Sequence, residues 1–189
     1  MIGVNTGRKV KMNIPVSWLK SVCFSETPLR ELKSFYRATQ DEKNWTFKAN
    51  KYQKYGLAFH AEFVRGRGGQ PVFYYDRRNI PITQSVESLG HPDLHEKTKA
   101  ILPLCEPYGP KVLEPEKEID FRWEREWRVV GDFQFAPKNV AFGICDESQI
   151  EKFEGLVDNA FPFLDPDWDI DKLKTYLEKR NLQALAEKL

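Results

Sequence analysis

At 189 residues with 41% hydrophobic and 13% aromatic content, the chain is long enough for one domain with a sizeable, ring-rich core. The formal net charge of +1 argues against a wholesale nucleic-acid binder, although residues 1–80 carry 15 Lys/Arg against 6 Asp/Glu and the remainder 14 against 22. Cys23, Cys105 and Cys145 have no paired spacing, and no run approaches the ~20 apolar residues of a membrane span, so a cytoplasmic protein with reduced thiols is expected.

Residues 1–19 read as a polar, basic lead-in of low order. Val16 to Phe24 ends in an apolar run that predicts a strand, and Ser25 to Pro28 turns the chain. Thr27 is a candidate N-cap for a helix carrying Leu29, Leu32, Phe35 and Tyr36 to about Ala38. A polar loop over 40–51 leads to a strand at Tyr55–Phe59 and one or two helical turns from Ala61. The segment Arg65-Gly66-Arg67-Gly68-Gly69 suits a phosphate cradle in residue type, but it lacks the Lys-Ser/Thr of a P-loop, and a plain connection is the preferred reading.

Pro71 to Asp76, aromatic and β-branched, predicts one strand. Helix, break, helix is expected over Thr83–Leu104, around Gly90-His91-Pro92. The four-residue spacing of His91 and His95 is interrupted by Pro92 and finds no third ligand, so no metal is expected. Cys105 to Asp120, with three prolines, reads as a polar connection, and Asn139–Cys145 as a strand. Asp146 is a candidate cap for the following helix and Asp169 for a last amphipathic helix over 170–189. That last helix is expected to pack on its own domain, with a partner surface as the second reading.

The densest chemistry lies at Phe121–Gly131, with three arginines, two glutamates and two tryptophans in the first eight residues. A period of two puts Phe121, Trp123, Arg125, Trp127 and Val129 on one face. Arg122, Glu124, Glu126 and Arg128 fall on the other. Carboxylates at i and i+2 of a strand lie about 7 Å apart, a spacing at which one can stabilise positive charge while the other accepts a proton. Arg122 and Arg128 are placed to hold both ionised. The competing reading is a salt-bridge ladder built from the same residue types.

The ordered series Val22-Cys23-Phe24-Ser25-Glu26-Thr27-Pro28-Leu29, Tyr55-Gly56-Leu57-Ala58-Phe59, Pro71-Val72-Phe73-Tyr74-Tyr75 and Glu124-Arg125-Glu126-Trp127-Arg128 resembles the AbiGi-type abortive phage-infection proteins. The resemblance spans roughly residues 20–160 and leaves 161–189 as an added loop and helix. It implies a phage-resistance role on the antitoxin side of a two-component module, with a toxin protein as partner. No residue in 1–19 matches the His-Phe-Thr-like strand of that family.

Glu124-Arg125-Glu126 is also similar to the late-strand Glu-x-Glu of the ADP-ribosyltransferase fold. That likeness implies an NAD-dependent enzyme acting on a protein or nucleic acid. Glu126 would bond the nicotinamide ribose and Glu124 would activate the acceptor. Ser25 and Thr27 would stand for the middle-strand hydroxyls, and Arg122 and Arg128 would complete the NAD contacts. The expected fold is therefore a single α+β domain, ADP-ribosyltransferase-like, with one mixed, partly antiparallel sheet of about five strands and flanking helices. A nucleic-acid module using the basic half, with Trp45 and Tyr52 as stacking residues, is the third reading.

Overall fold

The structure, a computed structural model, describes residues 19–39, 54–89, 91, 93, 100–110, 115–187 and 189. The expected lead-in before Leu19, the loop at 40–51, the stacking residues Trp45 and Tyr52, and His95 lie outside those residues. The α+β class holds, but among the described residues the strands form three short three-stranded sheets in place of one sheet of about five. The chain gathers into two compact units, each assembled from separated segments.

One unit takes its main segments from Thr27–Ala61 and Phe135–Leu189. Its sheet is β2 (Gly56–Phe59), β8 (Val140–Ile144) and β9 (Phe163–Leu164), with β8 central, antiparallel to β2 and parallel to β9. Gly143 is required where β8 meets β9, because a Cβ there would overlap the Phe163 ring. Asp146 accepts from Ser148 N–H and starts a 3-10 turn that runs into α4 (Ile150–Leu156). Asp169 accepts from Lys172 N–H and caps α5 (Ile170–Lys179), as expected. The predicted single helix to the C-terminal residue instead breaks, with Asn181 at φ 57° before α6 (Gln183–Ala186). Leu173 and Leu177 of α5 join Val140, Cys145, Ile150, Phe161, Phe163, Leu164 and Trp168 in one buried cluster. The apolar stripe of α5 is thereby spent on its own unit.

Thr27 is not an N-cap. Pro28 precedes a 3-10 turn over Leu29–Glu31 with no side-chain cap, and α1 (Leu32–Thr39) follows.

The described part of the other unit comes from residues 19–26 and from Glu62–Gln134. Its first sheet places β7 (Glu126–Val130) between β1 (Ser21–Ser25) and β3 (Gln70–Pro71), all antiparallel. Its second sheet is β4 (Phe73–Asp76), β5 (Cys105–Pro110) and β6 (Glu118–Ile119). The strand predicted over Pro71–Asp76 divides at buried Val72, whose N–H donates to Glu126 O at 2.8 Å, so this stretch serves both sheets.

The predicted polar connection at Cys105–Asp120 opens with β5, paired in parallel with β4. Its Cys105, Pro107 and Gly109 are buried in alternation, so the period-two signal was present beneath the prolines. Helix α2 (Ala61–Gly66) forms where expected, and α3 (Ile80–Ser88) starts early because Asn79 accepts from Ile82 N–H. No helix among the described residues is long and apolar enough to cross a membrane.

Candidate functional site

Strand β7 owes its place to its two faces. Trp127 and Val129 turn to the apolar side, where Phe24 lies across from Trp127 and packs edge-on against Phe133 at 4.8 Å. Phe63 of α2 meets the same Phe133 ring at 5.7 Å. Glu126 and Arg128 turn the other way, with Ser25 and Cys23 as their cross-strand neighbours on β1. From Glu126 onwards the predicted alternation is therefore correct.

Before Glu126 it fails. Arg122–Glu124 forms a 3-10 turn, and Arg125 sits in the left-handed region at φ 44°. A non-glycine residue holds that conformation only when its surroundings over-determine it. Here Arg125 N–H donates to Arg122 O, Glu26 N–H donates to Arg125 O, and Arg125 Nε donates to Glu26 O at 3.0 Å. Tyr74 closes the junction: its hydroxyl accepts from Glu126 N–H and donates to Phe121 O, both at 3.1 Å. Glu124 is consequently off the strand, and the expected pair of carboxylates on one strand face does not exist.

Glu126 belongs to a buried ion triad. Arg128 grips both its oxygens, Nε to Oε1 at 2.9 Å and Nη2 to Oε2 at 2.7 Å. The same Nη2 reaches Glu106 Oε2 at 2.5 Å, and Nη1 donates to Pro103 O at 2.6 Å. The side chains of Arg128, Glu126 and Glu106 are 7%, 8% and 15% exposed, so water competes little for these bonds. Burial disfavours the charged guanidinium, but the two carboxylates outweigh it and Arg128 is held charged above its ordinary range.

Beside the triad, Cys23 is a neutral thiol. Burial, then the charge of Glu126 and a hydrogen bond to it, push its pKa up to about 12. A thiol in that state is a poor nucleophile and a poor metal ligand.

Arg122 does not serve the glutamates. It forks onto Asp120 at 2.9 and 2.7 Å, lies over the Tyr108 ring at 4.0 Å, and lowers the pKa of Asp120. Ser25 ends β1 opposite Glu126, whereas Thr27 belongs to the other compact unit and to no strand. Of the six residues proposed from sequence, Glu126 and Arg128 meet directly and Ser25 borders them. Glu124 and Arg122 stand apart from that contact, and Thr27 belongs to the other unit.

Sequence reasoning missed Glu106, Tyr74 and the Pro103 carbonyl. Glu106 lay hidden in the proline-rich stretch, and its alternation with buried Cys105 and Pro107 was the signal that could have revealed it.

The glycine-rich turn is no phosphate cradle. The amides of Arg67, Gly68 and Gly69 all donate back to carbonyls of α2. Gly68, at φ +85°, makes that closure possible.

A second polar node occupies the other unit. Lys54 Nζ lies 3.4 Å from Asp146 Oδ2, 3.4 Å from Asp165 Oδ1 and 2.9 Å from Asp167 Oδ2. Asp165, itself buried, also accepts from the backbone N–H groups of Glu147 and Asp167 at 2.8 Å, so the node fastens the β9 loop. No group of three His, Cys, Asp or Glu suited to a metal ion occurs among the described residues. No family model, curated protein or solved structure matches the chain.

Proposed function

We propose that this chain is the interaction component, on the antitoxin side, of an AbiGi-like phage-resistance module, holding a toxin protein in the cytoplasm without turning over a substrate. The observation that carries the non-catalytic reading is the closure of Glu126. A carboxylate that stabilises a developing cation needs a lone pair facing the substrate. Both oxygens of Glu126 are instead bonded to Arg128 inside the fold. The defence context is supported by the ordered motifs from Val22 to Arg128.

The alternative is an ADP-ribosyltransferase-like fold using NAD to modify a protein or nucleic acid. The feature that favours it is the Glu-x-Glu spacing of Glu124-Arg125-Glu126. That chemistry requires Glu126 to leave Arg128, and Arg122 to exchange Asp120 for the cofactor.

Two measurements separate the readings. Purified full-length chain incubated with NAD, alone and with cell extract, is expected to release no nicotinamide above background. Glu124→Gln is expected to leave phage protection intact in cells that also carry the neighbouring genes. Sustained nicotinamide release, or protection lost in a Glu124→Gln chain of unchanged stability, overturns the non-catalytic reading.

A further inference from the structure

The described arginines in the unit that holds β7 divide into two sets. Arg78 forks onto Asp76, Arg122 onto Asp120 and Arg128 onto Glu126. Arg77 is turned to the Pro110 carbonyl at 3.0 Å. Arg65, Arg67 and Arg125 are exposed and have no carboxylate within salt-bridge distance among the described residues.

These three share one locality. Glu26 links two of them: its backbone carbonyl takes Arg125 Nε, and its carboxylate takes the Trp127 indole N–H at 3.0 Å. Arg65 lies over that indole, 5.0 Å from the ring centre, and Arg67 lies over the Phe63 ring at 5.3 Å. A guanidinium stacked on a ring keeps its donor edge free while losing conformational freedom, so less entropy remains to be lost when it binds an anion. Gly66, between Arg65 and Arg67, and Gly68, after Arg67, have nothing within 4 Å of where a Cβ would sit, so no side chain crowds the backbone there.

We propose that the ridge formed by Arg65, Arg67 and Arg125 docks an acidic segment of the partner protein. The inference rests on the non-catalytic, interaction reading above and names the chemistry of the partner. An acidic protein fits better than nucleic acid because the ridge offers three cations. Three phosphate contacts correspond to a salt slope of only about −2 on a single strand, where nucleic-acid binders commonly engage 6–10 phosphates. Net charge supplies no wider field, at +1 for the whole chain. Stacked arginine beside tryptophan is also the composition enriched among interface residues that dominate protein binding.

The test uses full-length chain and fluorescence anisotropy at low ionic strength with two probes: a short labelled peptide alternating glutamate and glycine, and a labelled oligothymidylate of equal charge. The peptide is expected to bind more tightly than the oligonucleotide. Arg65→Gln with Arg67→Gln is expected to weaken the peptide by roughly tenfold or more. Arg65→Lys with Arg67→Lys should restore part of that loss, and Arg30→Gln, an exposed arginine of the other unit, should change nothing. Circular dichroism checks that each variant keeps its fold.

Absent peptide binding, or equal binding by the glutamine variant, overturns the proposal. Tighter, arginine-dependent oligonucleotide binding overturns it in favour of nucleic acid. Nicotinamide release would defeat the interaction reading while leaving the peptide result to stand, whereas a chain without turnover that ignores the peptide defeats the ridge alone.

Discussion

Replacing Glu126 by alanine tests whether the triad is structural. The substitution removes two charge-assisted bonds from Arg128 and leaves a guanidinium whose side chain is 7% exposed. Removing one member of a buried pair costs about 3–5 kcal/mol, mostly because the other charge stays buried. Glu106 and the Pro103 carbonyl still hold Arg128, so the low end, about 3 kcal/mol, is expected. With a urea dependence of about 2 kcal/mol per molar, the midpoint should fall by about 1.5 M. The assay is urea unfolding followed by tryptophan fluorescence and circular dichroism, whose coincidence checks two-state behaviour.

The triple variant Glu106→Leu, Glu126→Leu, Arg128→Met removes all three charges together. It should return to within about 1 kcal/mol of the parent, because no orphaned charge remains. A Glu126→Ala loss below about 1 kcal/mol, typical of a solvated surface pair, would refute the reasoning. So would a triple variant no more stable than the single one. The same numbers bear on function: protection lost in Glu126→Ala signifies catalysis only if stability is unchanged.

Asp167, bonded to Lys54, and Asp146, bonded first to Ser148 and then to Lys54, both have lowered pKa values. A carboxylate with a folded-state pKa below its unfolded value of about 3.9 stabilises above that pH, and the contribution is lost as pH falls through the folded value. Lys54→Met should therefore flatten the decline in urea midpoint between pH 7 and pH 3, and parallel declines in both proteins would count against the node. The Cys23 and Cys145 thiols, pushed up to about 12 and about 11 chiefly by burial, should resist a disulfide-exchange reagent at pH 8 and react only in urea. Rapid native labelling of either, located by peptide mapping, would contradict that. Gly143→Ala sets a methyl group against the Phe163 ring and should destabilise by about 1–3 kcal/mol in thermal melts. An unchanged midpoint would mean that β9 can shift away freely.

Local rules read well from this sequence wherever one element decided the outcome. Asp146 and Asp169 capped what they were expected to cap, and the alternation of Trp127 and Val129 against Glu126 and Arg128 was correct. Failures occurred where a distant partner decided. Arg125 adopts its left-handed turn because Glu26, the residue after β1, takes both its carbonyl and its side chain. The Pro71–Asp76 stretch splits because Val72 is claimed by Glu126. Arg122 and Arg128 were assigned one job, but Asp120 and Glu106 gave them different ones. Residue type and spacing identified which groups would be charged, and pairing across the fold determined where each charge was used.

The pairing of β1 with β7 joins positions about a hundred residues apart. At about 5–20 residues per second, a ribosome needs roughly 5–20 s to make the intervening chain. During that interval β1 has no β7 beside it, and Phe24 has neither Trp127 nor Phe133 to cover it. The segments of the other unit are likewise separated, and β2 waits for β8. Both units are thus committed to late assembly. Their nascent forms expose ring-rich strand edges that chaperones recognise, and production at low temperature or with holdases present should raise the soluble yield.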